Sequence, residues 1–118
     1  MGRVSFQKIG GRMNIKVTAR HFSASEALQE KVQDVAENLQ KFYPNITDIT
    51  VILDAEKKNL RRCEFIVNIL HHTITAEGEE ENMGKALEIA IERIERQLKK
   101  ENEKLKSHKA QPMASVVV

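Results

Sequence analysis

The stretch Glu92-Arg93-Ile94-Glu95-Arg96-Gln97-Leu98-Lys99-Lys100 decides how the chain is read. It lies in a helical pattern that runs from about Asn82 to Lys106. Met83, Ala86, Leu87, Ala90, Ile91, Ile94, Leu98 and Leu105 recur at helical steps, so this helix has one apolar face. A helix with one apolar face must bury it on another layer, and the residues before it must supply that layer. At ~100° per residue, Arg93, Arg96, Lys100 and Lys104 fall on one flank of that face, with Lys85 on the same side two turns earlier. Glu88, Glu92 and Glu95 collect on a different flank. Segregating charge by sign gives up some of the mixed (i, i+4) pairs, worth roughly 0.2–0.5 kcal/mol each. A partner outside the helix accounts for that loss, and a phosphate backbone is the commonest such partner. Near a helix C-terminus, basic residues are also favoured by the helix dipole, so a solvated flank is the plain alternative.

Working back from the helix, Glu77-Gly78-Glu79-Glu80-Glu81 reads as a solvated acidic start and Asn82 as its N-cap. Before it, strict alternation marks strands. Thr73–Ala76 is a short one. Cys63, Phe65, Val67 and Ile69 alternate with Glu64, Ile66, Asn68 and Leu70, and Ile49, Val51, Leu53 and Ala55 alternate with Thr50, Ile52 and Asp54. Met13, Ile15, Val17 and Ala19 alternate with Asn14, Lys16, Thr18 and Arg20 as the first strand. Between the first two strands, Ser23-Ala24-Ser25-Glu26 fits a capping box with Ser23 as N-cap. The helix it opens buries Ala27, Leu28, Val32, Val35, Ala36, Leu39 and Phe42, and Pro44 stops it at Tyr43. The fold class is therefore α+β, in the order β-α-β-β-β-α, with a four-stranded sheet and two helices side by side on one face. That order also looks like a double-stranded-RNA-binding domain with an added first strand, in architecture alone. Residues 1–12, with Gly2, Gly10 and Gly11, read as a flexible lead; 13–106 form the domain; 107–118 read as a disordered tail.

The 118 residues suit one small domain. The net charge of +2 is too weak to imply a nucleic-acid partner, so the distribution of charge must carry that argument. The lone Cys63 excludes an intrachain disulfide and fits a reducing compartment and a buried thiol. No apolar run approaches the ~20 residues that span a bilayer, and Met1–Phe6 lacks a signal-peptide core, so a cytoplasmic protein with no membrane partner is expected. His21, His71, His72 and His108 have no metal spacing with Cys63 or the carboxylates. There is no Gly-rich phosphate loop and no nucleophile motif. The expectation is no enzyme, no cofactor, no metal and no small-molecule substrate. With 4% aromatic residues, base stacking is minor and recognition is mainly by shape and backbone. The alternative function is a protein-interaction module that uses the open sheet face, where Ile52, Ile66 and Leu70 interrupt the polar pattern.

Two motifs carry a family resemblance over about Met13–Lys106: Ile46-Thr47-Asp48-Ile49 entering a strand, and Arg93-Ile94-Glu95-Arg96-Gln97-Leu98-Lys99-Lys100 in the last helix. The chain resembles a short form of the ribosome hibernation-promoting factor and ribosome-associated inhibitor A family, the sigma-54 modulation proteins. Gly84 stands where that family has a tyrosine. The resemblance implies a translation inhibitor that binds the small ribosomal subunit (30S), alone or within the 70S ribosome. It would contact 16S rRNA in the A/P-site channel and block messenger and transfer RNA in stationary phase or stress. It implies rRNA contacts at Arg93, Arg96, Lys100 and Lys104, the positions the helical angles select independently, and at Lys41 on the first helix. Val35 and Asn38 stand at two other family basic positions, with Lys31 a substitute nearby; Lys85 completes the candidate set. Off the ribosome a monomer is expected.

Overall fold

The computed structural model describes the backbone of residues 3–10, 13–70 and 72–110, and the side chains of 14–70 and 72–104. The strands are β1 (Arg3–Gly10), β2 (Met13–Arg20), β3 (Asp48–Asp54), β4 (Arg61–Asn68) and β5 (Thr73–Glu80); the helices are α1 (Glu26–Asn38) and α2 (Met83–Ala110).

Strands β1 to β5 form one sheet in sequence order. The β2–β3 pair is parallel, joined by the α1 crossover, and every other pair is antiparallel. The registers line the inward residues into rows. Ile15, Ile49, Val67 and Ile74 make one row, and Val17, Val51, Phe65 and Ala76 the next. Ala19, Leu53, Cys63 and Gly78 make the third. All share one face, because side chains alternate along each strand. The rows taper to Ala76 and Gly78 on β5, where α2 packs closest. A Cβ on Gly78 would sit 2.4 Å from the Ala86 carbonyl oxygen and 2.8 Å from the Ala90 nitrogen. Only glycine allows that approach.

Against this face α1 contributes Val32, Ala36 and Leu39, and α2 contributes Ala86, Leu87, Ala90, Ile94 and Leu98, all fully buried. Leu28, Val35 and Phe42 are half-buried, while Ala27 is exposed. The α1 N-cap is Ser25, not Ser23: the Leu28 amide donates to Ser25 Oγ at 3.2 Å. The Gln29 side-chain Nε2 reaches back to donate to the Ala24 carbonyl oxygen, and the chain enters the helix two residues later than the expected capping box would have it. A single 3₁₀ turn, Leu39–Lys41, closes α1 ahead of Pro44. The amides of Gly84 and Lys85 donate to Asn82 Oδ1 at 2.7 and 3.3 Å, so Asn82 caps α2 as expected.

The β-α-β-β-β-α order with both helices on one face is what the chain forms from β2 onward. Three boundaries differ. The lead over 1–12 was expected to lack structure, yet Arg3–Gly10 is a fifth strand paired residue for residue with β2. Adjacent glycines between two strand-like runs are as much a hairpin signal as a sign of flexibility. Strand β5 runs four residues beyond Ala76, through the acidic run. Helix α2 continues four residues beyond Lys106 to Ala110, and residues 111–118 of the expected tail lie outside the described residues.

Candidate nucleic-acid interface

Helix α2 sits over β4 and β5, while α1 sits over β2. Its apolar stripe faces the sheet, which turns the basic flank toward the outer edge of β5. Arg93 Nη1 donates to the Glu77 carbonyl oxygen at 2.8 Å, and Gln97 Nε2 donates to the Thr75 carbonyl oxygen at 2.9 Å. The flank thus wraps the free strand edge and supplies donors to backbone acceptors that no further strand pairs.

Lys85, Arg96 and Lys100 are exposed and make no ion pair among the described residues. Lys104 is exposed and lies 3.5 Å from Glu101, whose other oxygen lies 3.4 Å from His72 Nε2. Arg93 remains exposed, with one nitrogen engaged by the strand edge. Four of the five α2 candidates are therefore not turned onto the protein's own acids, and the fifth meets one acid at the surface. Lys31 and Lys41 are exposed; Lys31 lies on α1, which sits over β2, and Lys41 in the 3₁₀ turn that follows it. Neither makes a hydrogen bond or ion pair to the α2 flank among the described residues. The link there is Lys99, whose Nζ lies 5.2 Å from the centre of the Phe42 ring and ties α2 to the end of α1.

Between the flank and β5 lies an open groove of about 600 Å³, lined by Arg93, Arg96, Gln97, Thr75, Glu77 and Glu64. Gln97, Thr75 and Glu64 carry no sequence signal for this groove: Thr73–Ala76 alternates over only four residues, and Gln97 bears no charge. A second, acidic hollow of about 340 Å³ lies at the β3–β4 hairpin end, lined by Asp54, Glu56, Glu77 and Glu79 with Lys57 and Arg62. Arg62 Nε donates to Glu77 at 2.8 Å, and that hydrogen bond, against a smaller desolvation, holds the guanidinium above its ordinary range. His21, in the left-handed region at φ 67°, sits 3.0 Å from Asp54 through Nδ1. With Glu56 these residues place three potential metal donors within 4.8 Å of one another. The same Asp54 oxygen already accepts the Glu56 amide at 2.9 Å, so the arrangement is explained as a tie between the β2 and β3 ends.

Ile52 and Ile66 are half-buried on the open sheet face, and Leu70, 58% exposed, lies in the β4–β5 loop rather than on the sheet. The apolar patch of the alternative reading is therefore not continuous. His71 lies outside the described residues. Cys63 is fully buried, and burial first, then Glu64, pushes its thiol up to about 12, which suits a structural role. No helix among the described residues is long and apolar enough to cross a membrane.

Fold and flank together define a class: a two-layer α+β domain that presents one cationic helix edge beside an open groove. The family model for sigma 54 modulation protein / S30EA ribosomal protein matches residues 15–106, and the chain belongs to that family. It is 26% identical over 95 residues to the ribosome hibernation promoting factor of Pseudomonas putida, covering 80% of this chain and 92% of that protein. With the Escherichia coli K12 protein of the same name it shares 28% over 96 residues, covering 81% of this chain and all of that one. The fold is similar to a ribosomal subunit interface protein from Coxiella burnetii, with a TM-score of 0.68 and 23% identity over 75% of this chain and 97% of that one. It is also similar to the Thermus thermophilus Protein Y N-terminal domain, with a TM-score of 0.64 and 20% identity over 73% and 92%.

Proposed function

We propose that this protein is a ribosome hibernation factor. It binds the small ribosomal subunit (30S), free or within the 70S ribosome, by laying the basic flank of α2 on 16S rRNA. There it fills the A/P-site channel, where messenger and transfer RNA would sit, and occupancy alone stops translation in stationary phase or stress. One observation carries it above the others: Lys85, Arg96 and Lys100 form an exposed, one-signed stripe on a long helix of this family, with no ion pair among the described residues. Such a stripe suits phosphates, which position a protein without specifying sequence. Relatives named ribosome hibernation promoting factor support the ribosome as partner. The action needs no catalysis, cofactor, small molecule or membrane, and belongs in the cytoplasm.

Sedimentation with purified 30S and 70S particles tests the reading. Wild type co-sediments at low salt and is released at high salt. Arg96→Glu with Lys100→Glu abolishes co-sedimentation while the circular dichroism spectrum stays native. Retained binding in that variant would shift the interface to the open sheet face and refute the assignment.

A further inference from the structure

The groove beside α2 contains something a phosphate-binding surface should exclude. Glu64 projects from the open face of β4 into the same groove as Arg93 and Arg96. Its side chain is 25% exposed, and its carboxylate stands 3.6 Å from Arg62, beyond hydrogen-bond length, while Arg62 itself is hydrogen-bonded to Glu77. Arg62 therefore does not use up the Glu64 oxygens. The opposite wall is held in place: Arg93 is tied to the Glu77 carbonyl and Gln97 to the Thr75 carbonyl. Spending its amide nitrogen there leaves the Gln97 oxygen as an acceptor. Arg96 has no such tie among the described residues and offers its donor fork to the groove. The groove thus combines carboxylate and amide acceptors with a guanidinium, in a volume within the ~300–1,000 Å³ typical of ligand clefts.

That set of groups matches a base edge rather than a phosphate. Guanine carries two adjacent donors, N1–H and N2–H, beside the acceptors O6 and N7. Carboxylates accept from base amino and imino groups, and arginine pairs with O6 and N7. In RNA these edges are open to a protein only when the base is unpaired. We propose that the groove between α2 and β5 reads an unpaired guanine, with Glu64 accepting from N1–H and N2–H and Arg96 donating to O6 or N7. The inference rests on the reading that α2 lies on ribosomal RNA, and it adds a sequence-reading contact to a surface otherwise read as phosphate-binding.

Glu64→Gln gives opposite signs for the two possibilities. Gln presents an N–H where guanine presents one, so base reading predicts about tenfold weaker 30S binding. The slope of log affinity against log salt stays unchanged, because no phosphate contact is lost. A surface that binds phosphates alone predicts stronger binding, because a repelling charge is removed. Chemical probing of the 30S subunit with a glyoxal reagent specific for N1 and N2 of unpaired guanine supplies the second readout. Wild type protects at least one such guanine, and Glu64→Gln loses that protection. Equal or tighter binding by the variant, or no guanine protected by wild type, overturns the proposal. Failure of the underlying reading is separate: it is seen when Arg96→Glu with Lys100→Glu still binds.

Discussion

Gly78 governs how close α2 can come to the sheet. The atoms its Cβ would meet, Ala86 O and Ala90 N, are helix backbone and cannot rotate away. Gly78→Ala should therefore push α2 off β5 and cost about 1–3 kcal/mol or more, read as a lower urea midpoint at unchanged m-value. In sequence this glycine sat among glutamates and looked like a loop residue. It is a strand residue because its missing side chain lets a helix pass over it, a requirement set by the tertiary neighbour. Cys63 could be placed from alternation alone and is buried as expected. Its thiol, pushed up to about 12, stays protonated in the fold where an unfolded thiol would ionise. The unfolded state then binds fewer protons than the native one above about pH 9, so stability falls as pH rises. The loss is about 1.4 kcal/mol per pH unit toward the folded value. Denaturation curves at pH 8 to 11 should show this slope in wild type, and Cys63→Ala should lack it.

Among the elements, β2, α1, β3, β4 and α2 were legible because each shows a sustained period of two or about 3.6 against a single core. The edges were not. Strand β1 lies among Gly2, Gly10 and Gly11, which mask a strand-like run as a flexible lead, and the second half of β5 is mostly glutamate, which is not the composition of a strand. Both are set by pairing: β1 matches β2 over its whole length, and β5 pairs Arg61 and Arg62 of β4 with Glu80 and Glu79. The same ignorance of β5 hid the second use of the α2 flank. Arg93 and Gln97 are not free surface donors, because they cover carbonyls of an edge strand. An uncovered edge is a template for pairing with another chain. Arg93→Ala with Gln97→Ala should lose about 0.5–1.5 kcal/mol per hydrogen bond. The double variant should also show concentration-dependent light scattering where wild type does not. A variant that stays monomeric at full stability would mean the strand edge needs no cover.

For the whole molecule, a net charge of +2 conceals a polar distribution. The basic flank of α2 lies along one side of β5, and the acidic hollow of Asp54, Glu56, Glu77 and Glu79 opens at the β3–β4 hairpin end. An RNA approaching this domain is attracted to the first and repelled by the second, so charge orients the encounter as well as strengthening it. Lys31 lies on α1 over β2 and Lys41 in the turn that ends it, and neither is tied to the α2 flank by a hydrogen bond or ion pair among the described residues. The count of phosphate contacts therefore rests on α2: Lys85 and Lys100 make no ion pair among the described residues, Arg93 and Lys104 are each partly engaged, and Arg96 is left to the base. About four contacts give a slope of log affinity against log salt near −3 to −4 for 30S binding. Lys85→Gln with Lys100→Gln should make that slope shallower by about 1.5 to 2, whereas Lys31→Gln with Lys41→Gln should leave it nearly unchanged. Equilibrium binding between 50 and 300 mM salt measures both. A slope that responds to the α1 pair as strongly as to the α2 pair would mean the RNA covers both helices, and the one-edged geometry argued from the sheet order would be wrong.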